Sequence, residues 1–177
     1  MSTIFKFCFN VFDQLIYSIL KRSVGLMPMR FTKLIANSYP DARIRKLYLA
    51  CLGLSMGDGT YSNLGLKICI DEIPSSPKVV IGNNVSIAPN VTFIADACAN
   101  NGIEINKIPY VRDSLTVQGS VYVSDEVWIG AGVTIMPNVK IGRCAVIGAG
   151  SLVLEDVEPY SIYAGVPARK IRKLLMS

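Results

Sequence analysis

The sequence predicts a mainly β protein in which short parallel strands wind into a triangular coil, preceded by helices and interrupted by a loop at about residues 96–118. Three observations predict this. An aliphatic residue returns at every sixth position, the repeat is broken by a segment containing Asn-Asn-Gly, and residues 1–53 show helical spacing instead. With 177 residues, 51% of them hydrophobic, the chain is long enough for one main domain with an N-terminal extension.

The repeat is clearest between Val123 and Val157, where two series run in parallel. The first series is Val123, Ile129, Ile135, Ile141, Ile147 and Val153, and the second, four positions behind it, is Val127, Val133, Val139, Ala145, Ser151 and Val157. A helix would spread these positions around its circumference, and a simple alternating strand does not have this period. Three hexads make one triangular coil, so we expect the aliphatic residues to stack in columns and small residues to turn the corners.

The same register is present upstream, in IGNNVS from Ile81, IAPNVT from Ile87 and a hexad that begins at Phe93. The interval from Ile81 to Val123 is a whole number of hexads, seven, so the count preserves the register across the loop. The interval from Met56 to Ile81 exceeds four hexads by a single position, which requires a bulge or short loop near residues 75–78. We expect the coil domain to span residues 54–168.

Before the coil, residues 3–35 carry apolar side chains at mixed spacings of three and four, typical of one or two helices. Residues 41–52 predict a further helix with Asp41 near its start. We expect residues 1–53 to cap the open end of the coil, which otherwise exposes strand edges. An alternative is an amphipathic contact with a membrane through the phenylalanines and Lys21-Arg22.

The charge is mildly basic, 18 Lys and Arg against 13 Asp and Glu, and is concentrated in residues 21–46 and 169–173. Such clusters favour local contacts with anions over the diffuse basic surface of a nucleic-acid binder, so we expect no nucleic-acid partner. The five cysteines are scattered and lack CxxC spacing, which argues against disulfides or zinc. We expect a cytoplasmic protein, with the inner face of the membrane as a candidate contact.

The stretch VWIGAGVTIMPNVKIGRCAVIGAGSLVLEDVEPYSIYAGVPARKIR carries a resemblance to a known family. It resembles the C-terminal half of the left-handed β-helix, hexapeptide-repeat acyltransferases, especially the galactoside, maltose and polysaccharide O-acetyltransferases. The resemblance implies a homotrimer with acetyl-CoA in a groove between neighbouring coils, active sites at the subunit boundaries and no metal. The γ-class carbonic anhydrases share this coil but bind zinc through three histidines, which a chain without histidine cannot do.

The resemblance also implies which residues bind the cofactor. The groove would use backbone groups around four small residues, namely Gly148, Ala149, Ala164 and Gly165. Arg169 and Lys170, in the basic tail of residues 169–177, would donate to the nucleotide phosphates. Trp128 points outward and is a candidate wall of the acceptor site or of a trimer seam, while Asn100 and Asn101 in the loop are candidates for binding the acceptor.

Acetyl transfer to a hydroxyl needs a base, and related enzymes supply a histidine seven positions after the valine of a Val-Thr-apolar-apolar strand. Counting from Val91, that position is Cys98. Four hypotheses follow: Asp96 is the base, with its pKa raised by burial; Cys98 acts as a thiolate helped by Arg112; proximity alone accelerates the transfer; or the site is inactive. We place Asp96 narrowly ahead of Cys98.

The sequence therefore predicts an acetyl-CoA-dependent O-acetyltransferase with an atypical site, acting on a sugar hydroxyl in the biosynthesis of surface polysaccharide or lipopolysaccharide. This substrate class comes from the resemblance and from the candidate membrane contact of the N-terminal region, and the spacing does not show it. Alternatives are acetylation of another small acceptor, such as an amino sugar, serine or an antibiotic, and a catalytically silent coil that serves as a scaffold.

Overall fold

Three helices precede the coil in the computed structural model, which describes residues 3–72, 74–99 and 101–174, with side chains from residue 11 onward. They are α1 (Thr3–Arg22), α2 (Met29–Ser38) and α3 (Ala42–Ala50). Asp41 caps α3, where its carboxylate accepts a 2.8 Å hydrogen bond from the backbone N–H of Arg43. The predicted helical N-terminal region is thus confirmed.

The rest of the described chain is mainly β, with short strands stacked into three parallel sheets that form the faces of a prism. The first sheet contains β1 (Leu54–Met56), β4 (Val79–Ile81), β9 (Val121–Val123) and β12 (Lys140–Ile141). The second contains β2 (Tyr61–Ser62), β5 (Ser86–Ile87), β10 (Trp128–Ile129), β13 (Val146–Ile147), β15 (Ser161–Ala164) and β16 (Arg169–Lys173). The third contains β3 (Lys67–Cys69), β6 (Thr92–Ile94), β11 (Thr134–Ile135) and β14 (Leu152–Val153). This arrangement is consistent with a left-handed β-helix.

Both predicted series of apolar residues lie inside the prism. In the first sheet, for example, Met56 lies opposite Ile81, Ile81 opposite Val123, and Val123 opposite Ile141. Every member of the two series between Val123 and Val157 is buried. Apolar side chains of successive coils stack on one another and form a continuous apolar column. Because each strand must supply an apolar residue to its column, the sequence repeats at every sixth position.

The corners are turned differently from the sequence prediction. At seven corners the backbone takes a left-handed conformation three positions after the buried aliphatic, at Asn84, Asn90, Glu126, Gly132, Asn138, Cys144 and Gly150. The glycines that directly follow the aliphatics have another role, because they let adjacent coils approach. A Cβ on Gly130 would lie 2.5 Å from the backbone nitrogen of Ala149. The small residues of the second series lie inside the corners and do not turn them.

Two insertions leave the prism, and both are longer than the hexad counts indicated. Met56 pairs directly with Ile81, so a single coil of three hexads separates them, and the surplus of one hexad and one position is an insertion between β3 and β4. Ile81 pairs directly with Val123, so only three of the seven hexads between them are wound, and the second insertion has the length of the other four. The extra hexads counted across both gaps are therefore not wound into coils.

The two ends of the longer insertion pair with each other. β7 (Asp96–Ala97) pairs antiparallel with β8 (Val117–Gln118), and between them lie a 3₁₀ turn (Ile105–Lys107) and a π turn (Val111–Leu115). Pairing the two ends fixes where residues 96 and 118 sit on the prism, because neither can leave without breaking the ladder.

Helix α3 covers the first coil. Its Ile44, Tyr48 and Leu49 are buried in the same core as the coil aliphatics. The buried Arg45 guanidinium donates to the carbonyl oxygens of Tyr39, Pro40 and Ser62, at 2.6, 2.7 and 2.5 Å. These bonds join the α2–α3 connection to β2. At the other end, residues 169–173, which the sequence indicated as a tail, form strand β16 antiparallel to β15.

Candidate active site

The two insertions leave the prism at the same corner. Strands β3 and β6 are neighbours, with Cys69 opposite Ile94, and each insertion begins just beyond its strand. Two positions further on, Asp71 and Asp96 come together, and the backbone N–H of Asp71 donates to Asp96 Oδ2 at 3.1 Å. The chain thus brings two carboxylates to one corner of adjacent coils.

Asp96 is paired with a cation. Its carboxylate is 1% exposed, and Lys78 Nζ lies 2.5 Å from Oδ1 and 2.6 Å from Oδ2. Burial raises the pKa of Asp96, but the hydrogen bonds from Lys78 and from backbone N–H groups, with the charge of Lys78, outweigh burial and lower the pKa overall. The raised pKa expected from the sequence is wrong in this chain. Asp96 is an ionised structural partner of Lys78 and a weak proton acceptor.

Cys98 is exposed, and its thiol donates to Asp71 Oδ2 at 2.9 Å. This hydrogen bond, followed by desolvation and by the carboxylates of Asp71 and Asp96, raises the pKa of the thiol. Arg112, the expected helper, donates from Nε to Asp113 Oδ1 at 2.7 Å. The geometry therefore disfavours a Cys98 thiolate.

Two cavities lie on either side of Asp71 and Glu72. One, of about 440 Å³, is mostly polar and is lined by Asp71, Glu72, Pro74, Ser75, Lys78, Asp96 and Gln118. The other, of about 340 Å³, lies between α2 and β3 and includes Met29, Lys33 and Lys67. Carboxylates and a lysine around one polar cavity suit a ligand with several hydroxyl groups, which both donate and accept hydrogen bonds.

The predicted loop ligands are less well placed. Asn101 is exposed in a turn and does not line either cavity, and Asn100 lies outside the described residues. Asn106 holds that turn, since its amide donates to the carbonyl oxygens of Ala99 and Gly102 at 2.7 and 2.6 Å.

The four small residues predicted to line a cofactor groove do meet, at the corner between the second and third sheets. A Cβ on Gly148 would lie 2.8 Å from Ala164 Cβ, so position 148 accepts only a glycine. Gly148 N–H donates to the Tyr163 carbonyl at 2.8 Å, and Gly165 N–H to the Ser151 hydroxyl at 3.1 Å. These two N–H groups support the corner itself, so a ligand would need other groups there, such as those of Ala149.

The basic residues lie at the end of the second sheet. Lys170 Nζ lies 2.5 Å from Glu158 Oε2, and Arg169 Nη1 lies 3.9 Å from Glu155 Oε1. The hydrogen bond to Glu158 raises the pKa of Lys170. Trp128, 60% exposed, projects from the second sheet too, in the same row as Val146 and Ile162. Within one chain, the second sheet faces away from the corner that carries Asp71 and Asp96.

Comparisons with known proteins agree with this architecture. The family described as bacterial transferase hexapeptide (six repeats) matches residues 120–155. A galactoside O-acetyltransferase of Escherichia coli strain K12 is 38% identical over 126 residues, 68% of this chain and 54% of the relative. A chloramphenicol acetyltransferase of Escherichia coli is 49% identical over 108 residues, 54% of this chain and 51% of the relative.

A solved structure agrees over a longer stretch. The hexapeptide-repeat acetyltransferase of Vibrio cholerae O1 biovar eltor, in complex with acetyl coenzyme A, matches with a TM-score of 0.63 and 26% identity over 90% of this chain and 89% of that chain. The chain contains the hexapeptide repeat of this transferase family and resembles its acetyltransferases. It spans about half the length of the curated relatives that it matches.

In this hexapeptide-repeat protein, the matched repeats run from β9 to β14, the part without insertions. The corner formed by Asp71 and Asp96, the acidic corner, lies outside the matched repeats. Sequence reasoning missed both Asp71 and Lys78. One signal was available. Asp71 precedes Asp96 by the same interval as Met56 precedes Ile81, so the two carboxylates occupy equivalent positions on adjacent coils.

Within residues 3–72, 74–99 and 101–174, no helix has the length and apolar character needed to cross a membrane. Nor does that part of the chain group three or more His, Cys, Asp or Glu side chains so that they could hold a metal ion.

Proposed function

We propose that this chain is an acetyl-CoA-dependent O-acetyltransferase that acts on a sugar hydroxyl, in the cytoplasmic assembly of surface polysaccharide or lipopolysaccharide. The observation that carries the donor is the likeness, over 90% of the chain, to a protein solved with acetyl coenzyme A. The sugar is supported by 38% identity to a galactoside O-acetyltransferase and by the polar cavity beside Asp71.

The donor site is proposed at the corner of Gly148 and Ala164, with Arg169 and Lys170 meeting the phosphates. Both cations are paired with exposed glutamates, and exposed pairs of this kind contribute little free energy. A phosphate can therefore replace Glu155 and Glu158 at low cost, and its charge would form stronger hydrogen bonds with the guanidinium.

The complete site is proposed to form between copies of the chain. The acidic corner lies between the third and first sheets, on the first and second coils. The corner of Gly148 and Ala164, the glycine corner, lies between the second and third sheets, on the fourth and fifth coils. Coils are about 4.8 Å apart, and a sheet face also separates the two corners. A homotrimer, in which the acidic corner of one copy faces the glycine corner of the next, would bring donor and acceptor together.

Asp71 is the proposed base. Its side chain is exposed at the polar cavity and its backbone is held by the Asp96–Lys78 pair, which fixes its position. A carboxylate has room for about four hydrogen bonds, so accepting from Cys98 leaves capacity for a substrate hydroxyl. Cys98 then orients Asp71, and Asp96 positions it, instead of either acting as the base.

In the proposed reaction, the acceptor O–H donates to the Asp71 carboxylate as its oxygen attacks the thioester carbonyl. The new C–O bond forms, the C–S bond breaks, and the proton on Asp71 passes to the departing thiolate of coenzyme A. The products are the acetyl ester and free coenzyme A, and Asp71 returns to its ionised form.

A second candidate acceptor is an antibiotic hydroxyl, because the identity to a chloramphenicol acetyltransferase is 49%. The cavity favours the sugar, since its lining contains three carboxylates and one lysine with few apolar side chains. A silent scaffold is the remaining alternative.

Calorimetry with acetyl-CoA tests the donor site. We expect binding to the native chain and a loss of about tenfold or more in Arg169→Ala/Lys170→Ala, because charged hydrogen bonds contribute about 1.5–3 kcal/mol each. Lys140→Ala, an exposed lysine in β12, is the matched control and should bind normally. No binding by the native chain would rule out the enzyme and favour the scaffold.

Release of coenzyme A thiol, measured with galactosides and with chloramphenicol, tests the acceptor and the base. Asp71→Asn should lower kcat by about 10²–10⁴, the usual contribution of a general base, with acetyl-CoA affinity unchanged. Asp113→Asn, an exposed loop aspartate, should stay active. An active Asp71→Asn protein would contradict the assignment of the base, and release with chloramphenicol alone would replace the sugar.

A further inference from the structure

Among its described side chains, from residue 11 onward, helix α1 has two apolar faces, and one of them packs against the protein. On the packed side, Tyr17 and Leu20, with Val24 just after the helix, lie against the core. Tyr48 Oη donates to the Leu20 carbonyl at 2.9 Å, and the Arg43 guanidinium lies 4.6 Å from the centre of the Tyr17 ring. Helix α1 is therefore fixed to the outer side of α3, while α3 itself covers the coil.

The other face of α1 is an apolar stripe of four side chains, each more than half exposed: Val11, Phe12, Leu15 and Ile19. Successive residues of an α-helix are rotated by about 100° around its axis, so these four side chains lie within about 100° of its circumference. Further exposed apolar side chains follow the helix in the sequence, namely Leu26 (82% exposed) in the turn and Phe31 and Leu34 in α2. Isolated exposed leucines are ordinary, but a continuous stripe on one helix face marks a contact surface.

The N-terminal segment, residues 1–40, is predominantly positively charged. The segment 1–40 contains five cations, Lys6, Lys21, Arg22, Arg30 and Lys33, against a single carboxylate, Asp13. Five cations less one carboxylate leave four positive charges, so this segment carries four of the five net charges of the whole chain. From position 41 to the end, cations outnumber carboxylates by only one, and the coil itself, residues 54–168, has six cations against eleven carboxylates.

We propose that the stripe of α1, with the cations around it, docks the protein on an anionic lipid surface. An apolar helix face flanked by Lys and Arg is the composition of helices that lie in the membrane interface. The cations would attract anionic headgroups while Phe12, Leu15 and Ile19 enter the boundary between headgroups and acyl chains. Two copies of this surface would instead bring like charges together, which disfavours a second copy as its occupant.

This inference does not depend on the proposed acetyl transfer, because it concerns a surface on the far side of α3 and is read out by lipid binding. The test is co-sedimentation of the full chain with vesicles of phosphatidylcholine alone and of phosphatidylcholine with phosphatidylglycerol. We expect binding to the anionic vesicles that weakens with added salt, and little binding to the neutral ones.

Two variants separate the apolar and electrostatic contributions. Phe12→Ser/Leu15→Ser should abolish sedimentation with anionic vesicles, and Lys21→Gln/Arg22→Gln should weaken it by roughly tenfold or more. The matched controls are Leu154→Ser and Lys140→Gln, an exposed leucine and an exposed lysine on the coil, which should bind as the native chain does. Circular dichroism verifies that each variant is folded.

Three outcomes would overturn the proposal: no sedimentation of the native chain with anionic vesicles, equal binding by native chain and both α1 variants, or binding that is lost equally in the two controls. A smaller oligomer in light scattering for Phe12→Ser/Leu15→Ser, without lipid binding by the native chain, would assign the stripe to another copy of the protein.

Discussion

At the scale of the residue, Asp96 shows how one ion pair changes what a carboxylate can do. Burial alone would make it a better base, but Lys78 Nζ within 2.6 Å of both oxygens keeps it ionised. The same carboxylate holds the backbone of Asp71, so its value lies in positioning. The neighbouring Asp71, exposed at the cavity, is the proposed base.

We expect Asp96→Asn to lower the free energy of unfolding by about 2–4 kcal/mol, because it leaves the partly buried Lys78 ammonium without its charge partner. Urea denaturation measures the change. Asp113→Asn, which removes an exposed pair with Arg112, should cost less than about 1 kcal/mol. Equal stability of Asp96→Asn and the native chain would show that the pair contributes nothing.

The same pair sets a pH dependence. The folded pKa of Asp96 is lowered, so its contribution to stability is present above the unfolded pKa of about 3.9 and is lost as pH falls through that value towards the folded pKa. The difference in stability between the native chain and Asp96→Asn should be largest near about pH 7 and shrink below about pH 4. Denaturation curves across this range check the prediction, and a difference that grows in acid would contradict it.

At the scale of the element, the corner between β10 and β11 uses two residues for two purposes. The residue directly after the buried Ile129 must be small because the next coil lies against it, and the residue two positions further on must accept a left-handed backbone. Gly130 and Gly132 occupy these two positions of one corner. A Cβ on Gly130 meets the backbone of Ala149, whereas nothing lies within 4 Å of a Cβ on Gly132.

The two glycines should therefore respond differently to substitution. Gly130→Ala should lower the free energy of unfolding by about 2–4 kcal/mol, because the contacted atoms are backbone and cannot move aside. Gly132→Asn should be nearly neutral, within about 1 kcal/mol, since asparagine tolerates the left-handed conformation and occupies it at Asn84, Asn90 and Asn138. Thermal denaturation of the pair is the measurement, and the reverse order would refute the division of roles.

At the scale of the whole molecule, the acidic corner and the glycine corner of one chain lie on different edges and at different heights of the prism. If the two half-sites act together, a neighbouring copy can bring the other edge of the prism alongside. This geometry supports the proposed homotrimer, in which the exposed Trp128 on the second sheet would face the boundary between copies.

Mixing two inactive variants tests this arrangement. Asp71→Asn lacks the acidic half, and Arg169→Ala/Lys170→Ala lacks the donor half, so co-expressed subunits should regain activity, with about a quarter of the sites carrying both intact halves if mixing is random. Thiol release by the purified mixture, compared with each variant alone, measures the recovery. No recovery from a mixture shown by light scattering to contain trimers would place both halves in one chain.

Much of the fold was predictable because a period of six has few physical explanations. The buried columns of Val123, Ile129 and Ile135 follow from it directly, as does the helix that begins at Asp41. The insertions were predictable as loops but not in length, since a count of hexads does not distinguish wound coils from extra chain. Counting from Val91 indicated Cys98, and Asp96 lies two positions before it. Asp71 and Lys78 were missed, because the interval that links Asp71 to Asp96 is informative only once Met56 is known to pair with Ile81.

The sequence by itself determined the coil, its apolar columns, the helical region before it and the place where the loop leaves. These depend on local period and spacing, which a chain carries wherever it folds. The tertiary structure decided the chemistry of the corner, because the charge state of Asp96 and Cys98 depends on Lys78 and Asp71, which are distant in sequence but lie at 2.5 and 2.9 Å from them in space. Electrostatic interactions act over distance in space, so only the folded coil shows which carboxylate is paired and which faces the cavity.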